Sequence, residues 1–122
     1  MKLLLDTHIA IWAVANSPRL PESARELIAD AQNEIVVSVA SLWEIAIKHA
    51  LRRRTEQMPI SAVEGETYFR AAGYRLLSVV AEHIRALEQL PAHHADPFDR
   101  LLVAQATHES AELLTGDARL TV

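Results

Sequence analysis

Lys2-Leu3-Leu4-Leu5-Asp6-Thr7-His8-Ile9 is the stretch on which the reading of the chain turns. Residues 2 to 5 form a short apolar run that fits a buried strand. Asp6-Thr7 then supplies a helix cap, and Ile9, Ile11, Trp12 and Val14 follow as the start of a helix. Strand, acidic turn and helix in that order make one βα step, so the remaining sequence is searched for repeats of it.

Pro18 and Pro21 interrupt the first pattern, and Pro21 stands near the start of a second helix with Leu27 and Ile28 on one face. That helix is expected to end near Gln32-Asn33. Glu34 to Val37 is short and β-branched, a second buried strand, and Ser38 or Ser41 can start a long helix from Val39 to about Arg52. A helix from Ser61 to Ala72, a stop at Gly73 and a third strand from Tyr74 to Val79 come next. Ile84, Leu87 and Leu90 give helical spacing to residues 81 to 90. Asp96-Pro97-Phe98-Asp99 reads as a helix start, with a cap, proline at the first position and an acid in the first turn, and the helix runs to about His108. Glu112 to Thr115 is a fourth strand, turned by Gly116-Asp117. The alternation predicts an α/β fold in three layers, a short parallel sheet of four to five strands flanked by helices.

Bulk composition sets bounds on this reading. The chain has 122 residues, half of them apolar, enough for one core and one domain over residues 1–122. The absence of cysteine excludes disulfides and thiolate metal sites, leaving oxygen or imidazole as ligands. Lys2 and three leucines before Asp6 are too few for a signal peptide or a membrane span, so a cytoplasmic location is expected. A formal charge of −4, from 16 acids against 12 bases, opposes nucleic-acid binding by general attraction. An acidic metal site accounts for part of that imbalance, because bound cations are not in the count.

Ligand sites in such sheets form where strands end and the following helices begin. Asp6 ends the first strand, Asp117 follows the fourth, Asp99 lies in the first turn of a helix, and Glu44 lies one to two turns into the helix after the second strand. Each has a plain structural role available. Asp6 can cap its helix, Glu44 can pair with Lys48 at i,i+4, Asp99 can serve the helix dipole and Asp117 the turn. Together, however, four unpaired carboxylates at one edge repel one another unless a cation joins them. Hard oxygen ligands of this kind suit Mg²⁺ or Mn²⁺, and the matching chemistry is hydrolysis of a phosphodiester.

Leu3-Leu4-Leu5-Asp6-Thr7-His8, Ser41-Leu42-Trp43-Glu44-Ile45-Ala46-Ile47-Lys48, the stretch from His94 through Asp96-Pro97-Phe98-Asp99-Arg100 to Ala106, and Leu114-Thr115-Gly116-Asp117 resemble, in order and spacing, the motifs of PIN-domain VapC-type toxins. The likeness covers nearly the whole chain. It implies a Mg²⁺-dependent endoribonuclease acting on RNA, the toxin half of a type II toxin–antitoxin pair, homodimeric and neutralised by a cognate VapB-type antitoxin. It places metal-binding or catalytic roles on Asp6, Glu44, Asp99 and Asp117, with Asp6 and Asp99 as direct ligands and Glu44 and Asp117 binding a second ion or positioning water. Asp96 fits the same motif, although its place before Pro97 favours capping, and the Thr115 hydroxyl is a candidate for orienting a carboxylate. The family usually carries a fifth short strand after the fourth acid. Here only Ala118 to Val122 remain, so that edge is either built from this tail, incomplete, or covered by a partner.

Other features carry less. His93-His94 suggests zinc, but no third imidazole stands at a convincing spacing. His8 is one turn from Asp6 and either touches substrate or faces solvent. Arg52-Arg53-Arg54 is a helix C-terminus favourable to the dipole or a phosphate-binding rim, and Arg100 either supports the acidic pocket or meets a phosphate. A phospho-receiver domain needs paired acids after the first strand and a lysine after the last, and a haloacid-dehalogenase phosphatase needs a second aspartate two residues after the first. Neither is present. The remaining rival is a PIN-like binding module that acts through a protein partner without cleaving RNA.

Overall fold

The computed structural model describes residues 1–51, 58–91 and 96–116, and the backbone of 119–121. β1 (Lys2–Leu5) leads to α1 (Thr7–Val14) and α2 (Glu22–Ala29), β2 (Glu34–Ser38) to α3 (Val39–Ala50) and α4 (Ala62–Ala71). β3 (Arg75–Leu77) leads to α5 (Ala81–Glu88) and α6 (Pro97–His108), and β4 (Glu112–Leu114) and β5 (Arg119–Thr121) complete the order. The sheet runs β3-β2-β1-β4-β5, with the first four strands parallel and β5 antiparallel to β4. Of the alternatives for the edge after the fourth acid, the fifth strand is built from the short tail, and it runs antiparallel beside the four parallel strands.

Alternation along the strands makes the three layers. Leu3, Leu5, Ile35 and Val37 point into one core with Ile9, Ala24, Ile45 and Phe69 from α1 to α4. Leu4, Val36 and Leu113 point to the opposite face, where Leu102 and Ala106 of α6 cover them. β1 is buried on both faces, as its unbroken leucine run requires. No helix among the described residues is long and apolar enough to cross a membrane.

Three boundaries depart from the sequence reading. α2 stops at Ala29 instead of Gln32-Asn33, because Asp30 leaves helical geometry and folds the chain into its own turn: Oδ1 accepts from the Gln32 amide at 2.9 Å and the Asp30 carbonyl from the Asn33 amide at 3.0 Å. β3 is three residues long instead of the span from Tyr74 to Val79. It pairs only with Val36 to Ser38 of β2, and beyond Ser38 the partner strand has become α3. α5 stops at Glu88, with Gln89 as its cap, just short of Leu90.

Candidate active site

Strand order fixes where a site can form. The chain steps outward from β1 to β2 to β3, then crosses back to place β4 on the other side of β1. The crevice at the carboxyl ends of β1 and β4 is the point where the connections part, which is where open α/β sheets bind ligands. The Asp6 amide donates to the Leu114 carbonyl at 3.0 Å and pins this edge. Asp6 itself is the N-cap of α1, its Oδ1 accepting from the Ile9 amide at 2.8 Å. The capping role and a place at the crevice are thus held by the same side chain.

Glu44 enters from α3 and is 5% exposed. Both of its oxygens are engaged: Oε1 accepts from the Thr7 hydroxyl at 2.6 Å and Oε2 from Lys48 Nζ at 2.6 Å. Thr7 Oγ1 also lies 2.9 Å from Ser41 Oγ, and because a hydroxyl has one hydrogen, Thr7 donates to Glu44 and accepts from Ser41. The pairing with Lys48 foreseen from i,i+4 spacing is present, at the lip of the site. Thr7 and Ser41 were not singled out as site residues from sequence. Their signal was available, since Thr7 follows Asp6 on the first turn and Ser41 precedes Glu44 by three on one helix face.

Asp99 lies exposed in the first turn of α6. Asp96 caps that helix, its Oδ1 accepting from the amides of Phe98 at 2.8 Å and Asp99 at 3.4 Å, with Pro97 at the first position. Trp43 and Phe98 meet edge to face at 5.0 Å, so the residues just before Glu44 and just before Asp99 are in contact. Burial pushes the Asp6 carboxyl above the usual carboxylate range, and the charges of Asp99 and Glu44 push it the same way against the pull of the Ile9 amide and His8. Asp6, Glu44 and Asp99 are therefore near enough for their charges to interact.

Asp117 lies outside the described residues, as do Arg52-Arg53-Arg54 and His93-His94. Thr115 is half-buried at the end of β4, beside the crevice. Arg100 has a different neighbourhood from the acidic pocket: its guanidinium donates to the Pro91 carbonyl at 2.9 Å and the Leu87 carbonyl at 3.4 Å, bracing the end of α5 against α6.

The carboxylates are loosely gathered. Among the described residues, only His83, His108 and Glu109 bring three ligand-type atoms within 4.8 Å of one another. That cluster is at the opposite edge of the sheet, where Lys2 at the start of β1 reaches Glu109 at 3.7 Å. The ring of His83 is fully buried, and its Nδ1 accepts from the Val80 amide at 3.1 Å. The proton therefore sits on Nε2, which donates to Glu109 Oε2 at 3.0 Å. This tautomer gives Glu109 a hydrogen bond and offers no Nε2 lone pair to an ion. At the crevice the donor set suits a hard divalent cation instead, because Mg²⁺ keeps several waters and is held by only one or two carboxylates directly.

Comparison with known proteins gives the family and the fold. The family described as PIN domain matches residues 3–122. Ribonuclease VapC22 of Mycobacterium tuberculosis (strain ATCC 25618 / H37Rv) is 30% identical over 129 residues, covering 97% of this chain and 88% of that protein. Among solved structures, VapBC2 of Rickettsia felis bound to a DNA fragment from its promoter superposes with a TM-score of 0.64 at 21% identity, over 93% of this chain and 85% of the other. VapC20 of Mycobacterium tuberculosis, a Sarcin-Ricin loop cleaving toxin, superposes with a TM-score of 0.61 at 22% identity, over 93% and 88%.

Proposed function

Because this chain belongs to the PIN-domain family, with a VapC-type relative matched along nearly its whole length, we propose that it is a metal-dependent endoribonuclease and the toxin of a VapBC-type pair. The observation that supports this most directly is that Asp6, at the crevice between β1 and β4, feels the charges of both Glu44 and Asp99. In this reading Asp6 and Asp99 hold Mg²⁺ or Mn²⁺, and Glu44, with Asp117 beyond the described residues, holds a second ion or positions water. An ion there supplies Lewis-acid polarisation of the scissile phosphate and neutralises its developing charge. The protein's own contribution is orientation. Thr7 and Ser41 fix the Glu44 carboxylate from one side, and Lys48 holds its second oxygen from the other.

The substrate in this reading is RNA in the cytoplasm, residues 1–122 act as one domain, and a VapB-type antitoxin is the neutralising partner. A homodimer is supported by the surface of α3, where Val39, Trp43, Ile47 and Leu51 fall at four-residue intervals along one face and are all 40% exposed or more. Purified protein is to be tested on a mixed RNA pool with Mg²⁺ or Mn²⁺, with EDTA and Asp99→Ala as controls. Cleavage abolished by both controls is the expected result. Folded, antitoxin-free protein that cleaves nothing with either metal would favour the non-catalytic binding module.

A further inference from the structure

A cleft of about 320 Å³ runs beside α1, lined by His8, Ile11, Trp12, Ala15, Ser17, Arg19 and Pro59. Its volume is at the lower end of the ~300–1,000 Å³ typical of small-molecule sites, room for one nucleotide-sized group. His8, Ile11, Trp12 and Ala15 recur at helical spacing and form one wall, and the loop after α1 supplies Ser17 and Arg19 to the other. The ring centroids of His8 and Trp12 lie 6.0 Å apart, so the wall carries two aromatic rings in succession. The exposed Arg19 guanidinium has no hydrogen-bond or ion-pair partner among the described residues, while its backbone amide is tied to Ser17 Oγ at 3.1 Å. One lining residue, His8, is near enough to Asp6 for its charge to act on that carboxylate. His8 lies in the first turn of the helix that Asp6 caps, and Trp12 is one turn further along the same face.

We propose that this cleft is a nucleotide subsite that seats one nucleotide of the RNA strand beside the acidic centre, its base against the Trp12 indole and its phosphate on the Arg19 guanidinium. The chemistry selects this occupant. An aromatic face accepts any base, a guanidinium recognises phosphate oxygens in a fixed geometry, and single-stranded RNA sites combine these two elements. A protein with a formal charge of −4 cannot hold RNA by general attraction, so an exposed guanidinium beside an aromatic wall has a specific use. That the strand is the nuclease's substrate rests on the function proposed above; the capacity of the cleft for a nucleotide does not.

The test has two arms. In EDTA, on a Trp43→Phe background that leaves Trp12 as the single tryptophan of the two in the chain, 5′-AMP should quench indole fluorescence saturably. Arg19→Gln should weaken that binding at least about fivefold, as loss of a charged phosphate contact predicts. In RNA cleavage, Arg19→Gln and Trp12→Ala should each raise KM by about 5- to 10-fold with kcat within about twofold, and Trp12→Phe should keep most of the affinity. Arg19→Gln should also reduce the slope of log affinity against log salt by about 0.7, one phosphate's worth on a single strand. Trp12 packs against the core, so Arg19→Gln, on the surface, decides the matter if Trp12→Ala fails to fold. No saturable quenching at millimolar 5′-AMP, with KM unchanged in Arg19→Gln, overturns the subsite and leaves the nuclease standing. Variants that change only neutralisation by the antitoxin overturn it in favour of a protein occupant. Binding of 5′-AMP that Arg19→Gln weakens, in protein that cleaves no RNA, upholds the cleft and removes the nuclease.

Discussion

Thr7 and Asp6 are neighbours in sequence with opposite relations to charge. The Thr7 hydroxyl, 3% exposed, donates to the buried Glu44 carboxylate, so Thr7→Val leaves that oxygen one donor short in a place water does not easily reach. We expect a stability loss of about 1–2 kcal/mol in chemical denaturation. If Glu44 serves the proposed metal site, cleavage should fall roughly 10- to 100-fold on losing the group that orients it. Asp6 is the reverse case. Burial raises its pKa first, and Asp99 and Glu44 add to this, so the metal-free fold disfavours the ionised form. A raised carboxyl pKa stabilises the fold below the ordinary value and loses that benefit as pH rises through the folded value. Asn caps helices as well as Asp. Asp6→Asn should therefore melt higher than the parent in EDTA at neutral pH, abolish cleavage, and gain no stability from added Mg²⁺; a lower melting temperature in EDTA would contradict the electrostatic account.

At the scale of elements, three helices end in the same way. After α1, α4 and α6 the chain enters the left-handed region at Asn16 (φ 51°), Gly73 (φ 86°) and Ser110 (φ 55°). In each, the next amide reaches back five residues: Ser17 to the Trp12 carbonyl at 2.9 Å, Tyr74 to Phe69 at 3.0 Å, Ala111 to Ala106 at 2.9 Å. The rings of Phe69 and Tyr74 stack at 6.4 Å across the α4 stop, the apolar contact that accompanies this motif. Gly73 was legible as a stop because glycine prefers that conformation. Ser110 was not, because serine has no such preference and is held there by the packing of α6 and β4 on either side. Ser110→Gly should gain about 1 kcal/mol by relieving the backbone, and Gly73→Ala should lose about as much. Thermal melts of the two variants, shifted in opposite directions with cleavage unchanged, would bear this out.

For the whole molecule, the two edges of the sheet do different things. The carboxyl edge concentrates negative charge, while the amino edge neutralises it through Lys2, His83, His108 and Glu109. The hydrogen bond from His83 holds the Glu109 carboxyl below the usual range, helped by the charges of Lys2 and His108. A lowered carboxyl pKa contributes stability above the ordinary value and loses it as pH falls through the folded value. Glu109→Gln should therefore lower the melting temperature at pH 7 by roughly 3–5 °C, about 1 kcal/mol for a partly exposed charged hydrogen bond. The gap should close as the solution is acidified below the normal carboxylate range. On the outer surface, Trp43→Glu puts a charge in the centre of the apolar stripe of α3. Light scattering should then report a monomer for this variant beside the proposed dimer of the parent, and an unchanged mass would show that the stripe is not the contact.

What the sequence by itself determined is the order of elements and the positions of the acids. The 2-residue period of buried strands, the 3.6-residue period of helices, and caps such as Asp6, Ser61 and Asp96 are local properties carried by the residues themselves. Only the tertiary structure decided what those acids touch. Glu44 gained its partner Thr7 from 37 positions away, Arg100 was drawn to the end of α5 instead of the acidic pocket, and His83 met Glu109 across 26 residues. The direction of β5 and the length of β3 were settled the same way, because a strand is defined by the partner it pairs with, and pairing across a sheet is a non-local event that no window of sequence contains.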